Sequence, residues 1–459
     1  MDIEEKTFDD TVEEIIELLE NRQYRSAREE ILKNNGVDAA EILEEIIEEL
    51  GIKIAIVIFR MLPKDMSVEV FSYLTIDDQK DIINGITDVE LSYIIDELDF
   101  DDKIDVLEEL PANIVDKILE KSTKAERRLI NTFLNYPDDC AGSLMTPEYI
   151  SLQGSMTVRE ALRHIKNEGM DSETVYTCYV KSGGRKLEGI VSLRTLVISD
   201  DDALISDLMH TDFVDVNVYD DQEEVSDAFM KYGFLAIPVV DNEGRLVGIV
   251  TIDDIMDVIE EEATEDIERM AGVLSDDDDR EYLDISVWGH IKSRIMWLTL
   301  MMFTAMITGG ILGAFEDMLT PTLVCYIPLL MGTSGNAGNQ AATLVTRGIA
   351  VGDLDTDDVL KVLWKEFRIS IGICLVLAGI NFIKVLVIDR VDITTAVIIN
   401  LSLVIIVIIA KMLGGLIPMA AKKLGIDPAL VANPLLTSLS DMISVVTYFA
   451  IASLMMTNV

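Results

Sequence analysis

Asp441 lies in an apolar stretch, residues 427–454, that is long enough to cross a bilayer. Asp427 suits a helix N-cap and Pro428 the first helical position. With a helix started there, Asp441 comes fourteen positions later. That is about 20 Å along the axis, well inside the hydrocarbon. Asn433, Thr437, Asp441 and Ser444 recur at helical spacing and are expected on one face. Pro434 donates no N–H, so the carbonyl of Leu430 loses its helical partner and can face a cavity or an ion. An ionisable residue at that depth marks a functional site by default. A carboxylate, an amide and a freed carbonyl are hard oxygen ligands, suited to a small divalent cation.

A second polar run interrupts another apolar stretch. Residues 328–340 read PLLMGTSGNAGNQ. The small residues allow close approach of helix backbones in lipid. Asn336, Asn339 and Gln340 are too polar for lipid tails and should face a partner or a pore. No Lys-Ser/Thr follows the glycines, so this is not a phosphate loop.

The elements that must position these residues are five candidate spans, at about 295–315, 323–349, 367–388, 394–421 and 430–454. Lys292 and Arg294 precede the first. Arg347, Lys361, Lys365 and Arg368 lie around the loop between the second and third, and Lys422 and Lys423 between the fourth and fifth. The alternate loops hold Glu316 and Asp317, and Asp389, Arg390 and Asp392. The positive-inside rule then places the N-terminal part in the cytoplasm and the C-terminus outside. No signal-like segment precedes the acidic N-terminus, which agrees.

Charge divides the 459 residues into two parts. Residues 291–459 hold 11 basic and 11 acidic residues, so the net charge of −45 falls entirely on residues 1–290. Such acidity argues against nucleic acid as a partner and suggests bound cations that relieve self-repulsion, although a solvated acidic surface is the plain alternative. The four cysteines form no C-x-x-C pair and indicate neither a disulfide framework nor a thiolate metal site.

Residues 1–50 read as Glu-rich amphipathic helices. From Thr75 five twelve-residue units follow, at 75–86, 87–98, 99–110, 111–122 and 123–134. Each opens on a capping or turn residue, the pattern of a solenoid of short helices. Asp96, Glu97, Asp99, Asp101, Asp102, Glu108 and Glu109 are left for its exposed faces, and solvation accounts for most of them. Residues 138–262 repeat a β-α-β-β-α pattern, each copy ending in a Gly-Ile-Val-Ser/Thr strand, at 189–192 and 248–251. This tandem resembles a pair of CBS domains. CBS pairs commonly bind adenine nucleotides such as ATP. The matching ribose-contact pattern, Ser/Thr followed three positions later by Asp, falls on Thr251 and Asp254. The first copy has Ser192 and then Thr195, so the resemblance implies at most one nucleotide site; a pair that only dimerises is the alternative. The join that follows is a carboxylate-dense helix with Glu262, Glu265 and Asp266 on adjacent turns.

Four stretches in order, YPDDCAGSLMTPEY, EEEATEDIERMAG, PLLMGTSGNAGNQAATLVTRG and GIDPALVANPLLTSLSD, resemble signatures of the MgtE family of magnesium channels, and the resemblance spans nearly the whole chain. It implies a homodimer in a cell membrane with four parts. These are an α-helical superhelical N-domain (1–137), a tandem α/β CBS pair (138–262), an acidic connecting or plug helix (263–290) and a five-helix transmembrane domain per subunit (291–459). It also implies metal-binding roles: Asp441 as the pore ion site, Asn433 as a pore-lining residue, and Asp427 at the cytoplasmic mouth. Glu262, Glu265 and Asp266 fall on the plug helix, Asp254 and Asp257 are interdomain sensors, and Glu316 lies near an external-side acid. The function expected is passive Mg²⁺ influx, closed by cytosolic Mg²⁺ bridging the acidic domains.

Two other classes compete. A non-conducting CBS-type sensor of metal or nucleotide would not need the polar face around Asp441. An enzyme would need a nucleophile–base set or a phosphate loop, and neither is present; His164, His210 and His290 are scattered.

Overall fold

The twelve-residue period of the N-terminal region is a period of helix caps. In the computed structural model, α6 (Ile76–Gly85), α7 (Asp88–Glu97), α8 (Phe100–Glu109), α9 (Ala112–Lys121) and α10 (Lys124–Phe133) are ten-residue helices that start twelve positions apart. Thr75, Thr87 and Thr123 accept the N–H three residues on. At Thr87 and Thr123 the acid at that position bonds back to close a capping box. Five helices precede them: α1 (Phe8–Glu20), α2 (Tyr24–Ile31), α3 (Gly36–Leu50), α4 (Ile52–Phe59) and α5 (Lys64–Ser72). Along the array alternate helices pack, α4 on α6, α5 on α7 and α6 on α8, so the short helices bury their apolar stripes against near neighbours.

The structure describes residues 7–170, 172–274, 282–283, 285–316 and 320–456; the side chains of 109, 113, 117 and 431–434 are outside that description. Asn433, Pro434, Glu109 and Asp317, singled out from sequence, therefore fall outside it. The described chain forms two units that divide after Ile259.

In the first unit the helical array is followed by two matching three-stranded sheets. Strands β1 (Tyr149–Leu152), β2 (Thr174–Lys181) and β3 (Leu187–Ser192) form one, and β4 (Val216–Asn217), β5 (Ala236–Val240) and β6 (Leu246–Thr251) the other. In each the first pair is parallel and the second antiparallel. Helix α11 (Val158–Glu168) lies between β1 and β2; α12 (Leu193–Ile198) and the short α13 (Ile205–Leu208) follow β3; α14 (Gln222–Tyr232) precedes β5. The repeated glycine of Gly-Ile-Val-Ser/Thr has a steric cause. A Cβ on Gly248 would lie 2.8 Å from the Thr146 carbonyl, and one on Gly189 would lie 2.8 Å from that of His210. Each copy thus lends a Leu-Met segment to edge the other copy's sheet, with Thr146 paired to Ile249 and His210 to Ile190. One core, from Val12 and Ile15 through Phe133 to Val250 and Ile255, joins the array to the second repeat.

The join is the last helix of the second repeat carried onward. Helix α15 runs without a break from Ile252 to Ala271, across the boundary expected between the CBS pair and the connecting helix. Five long helices follow: α16 (Val287–Ala314), α17 (Pro321–Ala350), α18 (Val359–Ile383), α19 (Ile393–Leu424) and α20 (Pro428–Met456). Among the described residues, four segments are long and apolar enough to cross a membrane: Val287–Ala314, Thr356–Ile388, Ile393–Leu424 and Leu435–Met456. Helix α17 has the length, but its polar run keeps it short of the composition expected of a span. The five-span expectation is met in length by five helices and in composition by four.

Candidate cation-handling sites

Helix α17 packs on α19 and α20 at the centre of the second unit. The glycines permit this: a Cβ on Gly414 would collide with the Gly338 carbonyl, and one on Gly338 would lie 3.1 Å from Leu436. Packing therefore explains Gly338. It does not explain the amides, because Asn336 and Gln340 are exposed and Asn339 half-buried. Asn339 Nδ2 donates to Thr437 Oγ1 at 3.3 Å, which ties the polar run of α17 to the exposed Thr437 on α20. Asp441 follows one turn later, half-buried, with no hydrogen bond or ion pair among the described residues. Ser444 departs from the expected shared face: it is 1% exposed and donates to the Ser440 carbonyl at 2.6 Å. An apolar residue there would have served packing equally, so sequence spacing alone misplaced it.

At the start of α20, Asp427 accepts the Ala429 N–H at 2.7 Å, as a cap should. Its other oxygen accepts from Arg269 of α15 at 3.0 Å. Arg269 also pairs with Glu265, one turn back on its own helix. Glu262 and Asp266 share that face by spacing. Burial, with the charges of Asp427 and Glu262, pushes the Asp266 carboxyl above its ordinary range. The sequence reading named the acids of this set but missed Arg269; the signal was its position four residues after Glu265. Glu316 is exposed just past the end of α16; nothing described brings it near the other acids.

A separate group of carboxylates gathers in the first unit. Thr251, buried at the end of β6, donates to Asp254 Oδ2 at 2.5 Å. Burial and the neighbouring charge of Asp101 push Asp254 up to about 7, against the pull of that hydrogen bond. Asp102 rises to about 7 through burial and the charges of Asp99, Asp254 and Asp253. Asp101 rises to about 7 through burial and Asp102. Glu173 reaches about 8 through burial, then Asp101, Asp99, Asp253 and Asp254. One oxygen each of Asp99, Glu148 and Glu173 lies within 4.8 Å of the others, a spacing able to hold a metal ion. Glu148 and Glu173 were missed in the sequence; they are 25 positions apart and meet where β1 pairs with β2, the Glu173 N–H donating to the Glu148 carbonyl at 2.8 Å. Of the acids expected on solvated faces, Asp96, Glu97 and Glu108 are exposed, whereas Asp101 and Asp102 turn inward. Asp257 is exposed on α15, apart from the inward face that carries Asp254.

A stack of short helices, a CBS tandem and a bundle of long apolar helices define a polytopic membrane protein with a CBS-bearing soluble region. Family models agree in the same order: the MgtE intracellular N domain over residues 37–139, the CBS domain over 141–200 and 205–261, and MgtE, a divalent cation transporter, over 327–451. The chain is 36% identical to the magnesium transporter MgtE of Thermus thermophilus, over 95% of this chain and 99% of that one. It is 31% identical to the magnesium transporter MgtE of Bacillus subtilis, over 98% of each. Two solved structures are similar. The crystal structure of the cytosolic domain of the Mg²⁺ channel MgtE in complex with ATP is 33% identical with a TM-score of 0.50, covering 54% of this chain and 99% of that one. The soluble part of a magnesium transporter is 32% identical with a TM-score of 0.50, covering 56% and 100%. The chain belongs to the MgtE family.

Proposed function

We propose that the chain is a Mg²⁺-selective channel that works as a homodimer, conducts passively into the cell and is closed by cytosolic Mg²⁺. The observation that carries the pore is the polar face formed by the exposed Asn336, Gln340 and Thr437 with the half-buried Asn339 and Asp441 beside them, on the two central helices of the membrane bundle. Lipid cannot cover such a face, so a second subunit and water must. All five long helices cross in this reading, with α17 tolerated because its polar run lines the pore. The acidic domains then lie in the cytoplasm and the C-terminus outside.

Mg²⁺ prefers six oxygens and dehydrates reluctantly. Two Asp441 carboxylates about a dimer axis would hold an ion that keeps most of its water. Few protein contacts permit release, so selection is by hydrated size and charge. The regulatory ions would sit on two carboxylate sets. One is Glu262, Glu265, Asp266 and Asp427, near the cytoplasmic mouth. The other is Asp99, Asp101, Asp102, Glu148, Glu173 and Asp254 of the soluble unit, with Asp257 and, on the outer side, Glu316 as further acids. Ions that bind the compact arrangement better shift the population toward closure. A non-conducting sensor is the rival reading, and the exposed polar face argues against it.

An adenine nucleotide fits one place. Thr251 and Asp254, the residues of the ribose-contact pattern, lie side by side and bond to each other, while the carboxylates around them would repel phosphates unless a cation accompanied them. The CBS pair would bind ATP or a related nucleotide there, on the side of the second copy only.

Mg²⁺ flux into liposomes tests the whole. Wild-type protein is expected to conduct until the cytoplasmic face fills with Mg²⁺, and Asp441→Asn to give a folded dimer without flux. Normal flux in Asp441→Asn removes the pore assignment.

A further inference from the structure

Arg269 occupies the middle of an acid set otherwise suited to a divalent cation. It stands on the same face of α15 as Glu262, Glu265 and Asp266. Its guanidinium reaches two carboxylates at once, Glu265 of its own helix and Asp427 at the head of α20, the latter at 3.0 Å. All three side chains are only about one-third exposed. The remaining Asp427 oxygen is committed to the Ala429 N–H. A cation that bridges α15 to α20 through Asp427 therefore has to share its carboxylate with Arg269 or displace it. A guanidinium stays charged at every accessible pH and its planar fork suits paired carboxylates. The two cations, one tethered and one free, repel each other at that carboxylate and so compete for it.

We propose that Arg269 is a built-in competitor for the divalent cation at this acid set, and that it fixes the concentration at which the ion takes over the bridge between α15 and α20. When divalent ion is scarce, Arg269 ties Glu265 to Asp427 and keeps the two helices together. When the ion is plentiful, it displaces the guanidinium and adds a second positive charge among four carboxylates. The inference rests on the reading that these acids take Mg²⁺, and it adds the residue that sets their apparent affinity.

The test is hydrogen exchange of peptides covering residues 260–271 in the full-length protein in detergent, titrated with MgCl₂ after EDTA treatment. Arg269→Gln should lower the Mg²⁺ midpoint for protection by about tenfold, since removing a cation this close to two acids strengthens their hold on another. The same variant should exchange faster than wild type without divalent ion, because the tie to Asp427 is lost. Arg269→Lys keeps the charge and should stay nearer the wild-type midpoint. A Gln midpoint equal to or above wild type overturns the inference, as do Gln and Lys midpoints shifted alike. A wild-type segment indifferent to Mg²⁺ overturns the reading of the acids as an ion site, and the inference with it.

Discussion

The two units hold their acids in opposite ways. In the membrane unit, three described acids pair with cations of the same chain: Glu366 with Lys411 at 3.7 Å, both under 9% exposed, Asp389 with Lys384 at 2.5 Å, and Asp427 with Arg269. Asp441 departs from this pattern. In the first unit Asp101, Asp102, Glu173 and Asp254 crowd against one another, and burial and mutual charge raise all four. A charge in hydrocarbon must bring its partner along the chain, since none arrives from solvent. A charge at a wetted surface can be left for a mobile ion. Asp441 lies on a helix segment apolar enough to span and has no such cation among the described residues, which is the physical reason to place an ion beside it.

The largest effect should come from breaking the buried pair. Lys411 of α19 sits one turn before Gly414 and Gly415, where α19 meets α17 and α18. Glu366→Ala would leave a buried ammonium unpaired, and about 3–5 kcal/mol of stability should go with it. Glu366→Gln combined with Lys411→Met should recover most of that loss. Thermal unfolding in detergent reads both. A single mutant as stable as wild type would show that lipid-side charges here need no internal partner, and the contrast between the units would fail.

The crowded acids predict the pH dependence of the first unit. Their folded pKa values, about 7 for Asp101, Asp102 and Asp254 and about 8 for Glu173, lie above ordinary values near 4. The unfolded chain releases these protons first, so the folded unit is favoured most below about pH 4 and loses that advantage as pH rises through 7 to 8. In EDTA, unfolding of the soluble region should move to lower temperature between pH 6 and pH 8.5. Mg²⁺ should flatten the slope by substituting for the protons. A slope of the opposite sign would mean that these acids are not crowded in solution.

What could be read from the sequence follows the same division. The caps at Thr75, Thr87 and Thr123 and the glycines at 189 and 248 are local, so the twelve-residue array and the CBS tandem were visible in one dimension. The helix of Asp441, starting after Asp427, followed from its cap and its apolar run. What stayed hidden was made by pairing across distance. Glu148 and Glu173 come together from separate loops, Asp101 and Asp102 turn toward Asp254, and Arg269 reaches Asp427 across 158 positions. Ser444 went the other way: its spacing put it on the polar face, and packing against Ser440 turned it inward.

The smallest effect concerns an acid of the first unit that is not crowded. Glu90 closes the capping box of α7, accepting the Thr87 N–H at 2.8 Å and a bond from Arg60 at 2.9 Å. The Thr87 backbone bond leads the causes that hold its carboxyl below the ordinary range. Thr87→Ala removes the hydroxyl that caps the helix and bonds the same carboxylate. It should cost about 1 kcal/mol and let the Glu90 titration drift upward, while the pH 6 to 8.5 slope set by the crowded acids stays as it was. Because the Glu90 pKa is lowered, its contribution is present above its ordinary value near 4.5 and is lost only as pH falls through the lowered one. The two classes of acid thus titrate in separate windows. A Thr87→Ala variant that altered the neutral-pH slope would show that the caps and the cluster are one coupled network rather than two.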